Sequence, residues 1–211
     1  MEDLPQCELD DTTLGAYVHS PYAALEELFA HEGLNSNHVL LDLGCGDGRA
    51  CLLAAEKFGA IGVGVDIDGD LVEKFVAKAA AKGLRSRTVG IAADACQSPQ
   101  LLFGVDKLPH LLPLAPEFIV PMSSSVSPIQ QDASAATTTA APQPSLLRIT
   151  HIYLFILQHR LHLLVPTLRD YLAVYPGLVI MSAFAMPDEY VPDRTFTDSS
   201  GMFHFRTYTK L

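Results

Sequence analysis

The stretch HVLLDLGCGDGRACLLAA, residues 38–55, constrains the fold more than any other part of the chain. An apolar run closes on Asp42 and Leu43. Glycines follow at alternate positions, Gly44, Gly46 and Gly48, and a helix-like pattern starts at Arg49. Glycine is required where a chain turns with positive φ, or where a ligand presses on bare backbone. A strand that passes through such a turn into a helix is the opening unit of a parallel α/β sheet. The spacing G-x-G-x-G is not the dinucleotide fingerprint G-x-G-x-x-G, and no Gly-Lys-Ser/Thr follows, which excludes a P-loop.

The rest of the chain extends this unit. SPYAALEELFAHEG, residues 20–33, predicts a helix with Ser20 as N-cap, Pro21 at its first position and Gly33 past its end. Strands are expected over Val39 to Leu43, from Ile61 through IGVGVDID, and over Thr88 to Ala92 near Asp94. Helices are expected over Arg49 to Phe58 and over GDLVEKFVAKAAAKG, the latter begun by Asp68 and Asp70, which its dipole favours. After a lapse, RITHIYLFIL reads as a buried strand, HRLHLLVPTLRDYLAVYPG as a helix and LVIMSAF as a strand. RTFTDSSGMFHFRTYTK alternates around SSG as a hairpin does. The expected fold class is α/β, a Rossmann-like doubly wound sheet, mostly parallel with a C-terminal antiparallel hairpin, in a single domain 1–211. Residues 109–146 interrupt it with a low-complexity insertion rich in Pro, Ser, Ala and Thr, expected to be disordered because such a tract cannot offset its ordering entropy by burial.

Charge narrows the partners. Fourteen Lys and Arg against 24 Asp and Glu leave a net charge of −10, which repels nucleic-acid backbones and suits a basic or neutral partner. Cys7, Cys45, Cys51 and Cys96 include no CxxC pair, and the acidic start MEDLPQCELDD is unlike a transit peptide or signal. A reduced intracellular compartment is expected, cytoplasmic or mitochondrial. ITHIYLFILQHRLHLLVPTL is broken by histidines, arginines and a proline, so no transmembrane segment is expected. His159 and His162 have no third ligand at a suitable spacing, so no metal is expected either.

Three carboxylates define the ligand. Asp42 before the glycine turn disfavours a pyrophosphate and suits a cationic amino group. Asp66 ends the second strand, where it can accept both hydroxyls of a ribose. Asp94 follows the third strand, where it can accept an exocyclic amine. Together they ask for an amine, a ribose and an adenine without phosphate, and S-adenosyl-L-methionine fits that description. Cys45, inside the turn, is expected to serve through its main chain.

VLLDLGCGDGRACLLAA with GVGVDID and AADA resembles the motif set of class I S-adenosylmethionine-dependent methyltransferases. Four stretches, YVHSPYAALEELF, LDLGCGDGRACLLAAEKFGAIGVGVDID, ITHIYLFILQHRLHLLVPTLRDYL and GLVIMSAFAMP, are similar to one small group within it. That group is the lysine methyltransferases of the mitochondrial adenine nucleotide translocase and the ATP synthase c-subunit, with their bacterial relatives. The resemblance implies Asp42, Gly44 and Gly46 around the methionine part of the cofactor, Asp66 on its ribose and Ile67 beside the adenine. It further implies Asp94 with Ala95 at the adenine edge, and Tyr17 closing the pocket. It implies a protein substrate with a target lysine, a membrane protein being one candidate. The chain departs from the group where residues 95–146 separate Asp94 from the next strand, and in lacking a hydrophobic targeting segment.

Methyl transfer from a sulfonium is mainly positioning and desolvation. By alternation His151, Tyr153 and Phe155 share one strand face, and Tyr153 and His151 are the candidates for lining the amine site. The leading expectation is a protein-lysine N-methyltransferase. Beside it stand a methyltransferase acting on a small molecule or another protein group, and a cofactor-binding interaction protein without turnover.

Overall fold

The computed structural model describes residues 20–97, 103, 118–121, 145–187 and 189–211. Its centre is a seven-stranded sheet. The strands in chain order are β1 (Val39–Leu43), β2 (Ile61–Asp66), β3 (Thr88–Ala92), β6 (His151–Leu154), β7 (Val179–Ser182), β8 (Arg194–Thr197) and β9 (His204–Tyr208). Their order across the sheet is β3-β2-β1-β6-β7-β9-β8. The first five run parallel, and β9 returns antiparallel between β7 and β8. This is the mixed, mostly parallel α/β sheet with a terminal hairpin that the sequence implies. The hairpin turns at Gly201, whose N–H donates to the Asp198 carbonyl at 3.0 Å.

The central strands read as continuous apolar runs because both faces are covered. On one face Leu40, Tyr153, Met181 and Phe205 pack against α1 (Tyr22–His31) and α2 (Arg49–Phe58). On the other Leu41, Val63, Ile152 and Ile180 pack against Leu161, Leu164 and Leu168 of α4 (Gln158–Val174). Helix α3 (Gly69–Ala81) lies beside α2, with Phe75 buried against Cys45, Cys51 and Leu52. Its N-cap is Asp68, which accepts from the N–H groups of Asp70 and Leu71.

Helix α1 starts later than expected. Pro21 is its N-cap and makes no side-chain bond. Ser20 is not the cap, because its hydroxyl meets the phenol of Tyr153 instead, at 2.8 Å. Strand β6 is also shorter than RITHIYLFIL, since at Thr150 the side chain takes the Val39 N–H at 2.9 Å.

The expected insertion 109–146 falls mostly outside the described residues. The parts within them are paired: β4 (Ile119–Pro121) runs antiparallel to β5 (Ser145–Leu147), with Pro121 opposite Ser145. The chain between these strands therefore leaves and returns across one ladder rung, where Cα atoms stand about 5 Å apart.

Candidate functional site

The glycine turn is tied to the end of β2. The N–H groups of Gly44 and Cys45 both donate to the Val65 carbonyl, at 2.8 and 3.0 Å. The Gly46 N–H donates to Asp66 Oδ2 at 2.7 Å. Gly44 has φ 80° and lies exposed, so the turn presents bare backbone at the carboxyl end of the sheet. Gly48 serves a different need: a Cβ there would stand 2.0 Å from the Phe75 ring. Cys45 is buried beneath the turn against Gly64, and burial pushes its thiol well above the ordinary range. Its side chain is packing, and its main chain belongs to the turn.

The three expected carboxylates stand at the ends of three neighbouring strands. Asp42 is 4% exposed and sits in register with Gly64 on β2 and Tyr153 on β6. Its pKa is pushed up to about 8, first by burial and then by the nearby carboxylates of Asp66 and Asp47. Removing water and adding like charge both favour the neutral acid, whereas a cation placed beside it would favour the carboxylate. Asp66 accepts from the N–H groups of Gly46, at 2.7 Å, and Asp68, at 2.9 Å. Each of its oxygens thus keeps a lone pair for a further donor, as a vicinal diol requires. Ile67 follows, 66% exposed. Asp94 is exposed and accepts the Cys96 N–H through Oδ1 at 2.8 Å, and Ala95 beside it is buried. The ends of β2 and β3 are joined by the Ala93 N–H on the Asp66 carbonyl, at 2.9 Å.

Tyr153 lies beside Asp42, fully buried, its ring edge-on to Phe29. Its phenol is held by the Ser20 hydroxyl at 2.8 Å, and burial raises its pKa far beyond the ordinary range. The group stays protonated and is not a base in this state. Arg49, the residue after the last glycine of the turn, donates to the Ser20 carbonyl at 3.1 Å and lies 4.7 Å over the Tyr22 ring. Ser20, Tyr153 and Arg49 therefore clasp the start of α1 to β6 and to the start of α2. Sequence reasoning missed this clasp, because Ser20 before a proline reads as a helix cap. Nothing in the chain pattern points to a partner 133 residues away.

The structure does not bring His151 to this site. It is the first residue of β6, opposite Leu40 and Val179, at the amino end of the sheet. Its ring packs on His38 at 4.7 Å with Nδ1 3.0 Å from the Thr150 hydroxyl, and burial and then His38 lower its pKa to about 4. Alternation correctly gives it the face of Tyr153, but that face runs the length of the sheet. Tyr17 lies outside the described residues. Among the described residues no group of three His, Cys, Asp or Glu side chains is placed to hold a metal. A cavity of about 270 Å³ between α3 and β3, lined by apolar residues with Arg85 and Thr88, holds none of these carboxylates.

Residues 40–106 match a family model described as a methyltransferase domain. The fold is similar to an RNA methyltransferase from Salinibacter ruber in complex with S-adenosyl-L-homocysteine. The two share 23% identity and a TM-score of 0.60, over 90% of this chain and 92% of that one. It is also similar to TrmN from Thermus thermophilus, at 18% identity and a TM-score of 0.53, over 89% of this chain and 48% of that one. No curated protein matches the sequence. The fold is the α/β Rossmann-like fold of the class I methyltransferases. S-adenosylmethionine is the cofactor that the buried Asp42, the bare glycine turn and the open lone pairs of Asp66 fit.

Proposed function

We propose that the chain transfers a methyl group from S-adenosylmethionine to the side-chain amine of a lysine in a protein substrate. The observation that carries the cofactor half is Asp42, a buried carboxylate crowded by two others, which a cofactor ammonium would neutralise. Bound S-adenosylmethionine supplies an electrophilic methyl group on a sulfonium. In this reading Asp42 holds the ammonium, Asp66 the ribose hydroxyls, Ile67 flanks the adenine, and Asp94 with Ala95 meets its edge. The clasp of Ser20, Tyr153 and Arg49 keeps the wall beside Asp42 in place, and Tyr153 acts there by position, not by proton transfer. His151 has no part in it.

The lysine half is supported by charge and by the resemblance of four sequence stretches to the lysine methyltransferase group. Asp66, Asp68, Asp70 and Asp94 give the carboxyl edge of the sheet a negative rim, in a chain of net charge −10, while Asp47 is paired with Lys78. Such a rim draws in a basic peptide and repels a phosphate backbone. A free lysine has a pKa of about 10.4 and must lose its proton before transfer, which a dehydrated site favours. The amine, its proton given up to water, would then accept the methyl group that the bound cofactor supplies, with S-adenosylhomocysteine as the leaving group. Among the described residues no helix is long and apolar enough to cross a membrane.

Calorimetric titration with S-adenosylhomocysteine, beside NAD and an Asp66→Ala variant, tests the cofactor. Binding that the variant loses, with NAD silent, is the expected result. Incubating the protein with lysate and labelled methyl donor then tests the substrate: label in acid-stable methyl-lysine supports the reading, and label confined to RNA or small molecules refutes it.

A further inference from the structure

Two phenylalanine rings meet just beyond β6 and β7. Phe155 follows the last residue of β6, and Phe184 comes two residues after the last of β7. Their centroids are 5.6 Å apart at an interplanar angle of 62°, an edge-to-face contact. Phe155 packs toward the α1–α2 side of the core and Phe184 toward the α4 side, so the pair bridges the two layers past the strand ends. Both remain partly exposed. The backbone beneath them is fixed. The Ala183 N–H donates to the Leu154 carbonyl at 3.0 Å, and the buried Ser182 hydroxyl donates to the Phe184 carbonyl at 2.7 Å.

This end of the sheet is also the end of the glycine turn. Asp42 is the register partner of Tyr153, two residues before Phe155. Ile156 lies 3.7 Å from where a side chain on Gly44 would begin. The rings therefore stand at the carboxyl end of β6 and β7, beside the strand that carries Asp42 and the glycine turn. Arg49 lies over Tyr22 at 4.7 Å and Arg169 over Tyr190 at 5.5 Å, while the cation nearest to Phe184 in the strand pairing, Arg206, is engaged with the Ala183 and His204 carbonyls at 3.3 and 3.1 Å.

We propose that Phe155 and Phe184 form the subsite that receives the substrate's alkylammonium group; what that group is for rests on the lysine methyltransferase reading. Aromatic faces attract cations without donating or accepting a conventional hydrogen bond. A nitrogen held there keeps its lone pair free once the proton has left. Each added methyl removes an N–H that water could solvate and adds a surface for the rings, so the pair holds a methylated lysine better than a bare one. The subsite therefore favours retention of partly methylated product and repeated transfer.

The test uses the full chain with ¹³C-labelled phenylalanine, read by NMR with and without S-adenosylhomocysteine. The probes are Nα-acetyl-lysine methylamide, its Nε-trimethyl form, and the uncharged norleucine counterpart. The Phe155 and Phe184 signals are expected to move most with the trimethyl probe, less with lysine and least with norleucine. Phe155→Leu and Phe184→Leu should each weaken the trimethyl probe about 3- to 10-fold, leaving S-adenosylhomocysteine affinity unchanged. Tyrosine at either position should restore binding, which guards against a folding defect in the leucine variants. A norleucine response as large as that to the trimethyl probe, leucine variants that bind like the parent, or no response to any probe overturns the subsite. The two readings fail separately. Silent S-adenosylhomocysteine with responsive rings removes the methyltransferase reading, whereas bound S-adenosylhomocysteine with unresponsive rings removes only the subsite.

Discussion

The two halves of the sheet join at β1 and β6, and they answer different needs. From β1 to β3 the strand ends carry carboxylates and bare backbone: Asp42, Asp66, Asp94 and the glycine turn. From β6 to β7 they carry rings: Tyr153, Phe155 and Phe184. On the first side Asp42 is held against its preference, its pKa pushed up to about 8 by burial and by Asp66 and Asp47. On the second the buried phenol beside Asp42, Tyr153, already has its partner in Ser20. One half carries a buried carboxyl whose charge is disfavoured, and the other a buried phenol that is already hydrogen-bonded. A cofactor gripped through backbone and carboxylates leaves a mark on residue type at fixed spacing. A wall assembled from side chains leaves little.

The contrast can be broken or sharpened by substitution. The largest effect is expected at Gly48, where φ is 77° and a Cβ would meet Phe75 at 2.0 Å. Gly48→Ala should cost about 3 kcal/mol or more, lowering Tm by about 6–12 °C in a chain of this size. Gly69→Ala is the control: it meets nothing within 4 Å and has ordinary φ, and alanine there should leave Tm level or raise it. If both behave alike, the glycine turn is not seated on α3 as described.

The next effect lies at the opposite end of the sheet. His151 is buried and neutral, with a pKa lowered to about 4. The unfolded chain takes up its proton near pH 6.5, so stability falls as pH drops from there toward 4, by up to about 3 kcal/mol. His38, also lowered, acts in the same direction. Urea unfolding at a series of pH values should show this slope, reduced in His151→Gln. An unchanged slope in that variant contradicts the buried location.

Tyr153→Phe leaves the Ser20 hydroxyl without its partner and should cost about 1 kcal/mol. Adding Ser20→Ala should recover part of that loss, because the pair is one interaction. Strict additivity of the two single changes would contradict the clasp. The smallest effect is expected from replacing residues 122–144 with Asn-Gly, since Pro121 and Ser145 already face each other across a ladder and two residues close such a hairpin. Tm and S-adenosylhomocysteine affinity should stay close to the parent's. A large loss of either would make the tract part of the fold or the site.

Legibility in the sequence follows the same division. Helix Arg49–Phe58 and strand Thr88–Ala92 begin and end where the expected pattern puts them, because glycines and aspartates punctuate them. Asp42, Asp66 and Asp94 come to neighbouring strand ends for the same reason. Past β3 the signals weaken. The ladder of β4 and β5 has three residues on each side and lies within a composition that hides it. His151 and Tyr153 share a face, but alternation does not say which end of the sheet a residue occupies. Ser20 could be placed only once β6 was seen to pass beside α1.

The most direct test of the central claim is titration of S-adenosylhomocysteine into the parent and Asp42→Asn, by calorimetry from pH 6 to 8. Asp42 has its pKa raised to about 8, so below that pH the free protein holds it largely as the neutral acid. Capturing an ammonium needs the carboxylate. Binding should therefore release close to one proton at pH 7 and tighten as pH rises toward 8. In Asp42→Asn the affinity should fall on the order of 100-fold and lose its pH dependence, while the free protein is at least as stable as the parent. Binding that releases no proton, or an asparagine variant that binds as the parent does, would contradict the account.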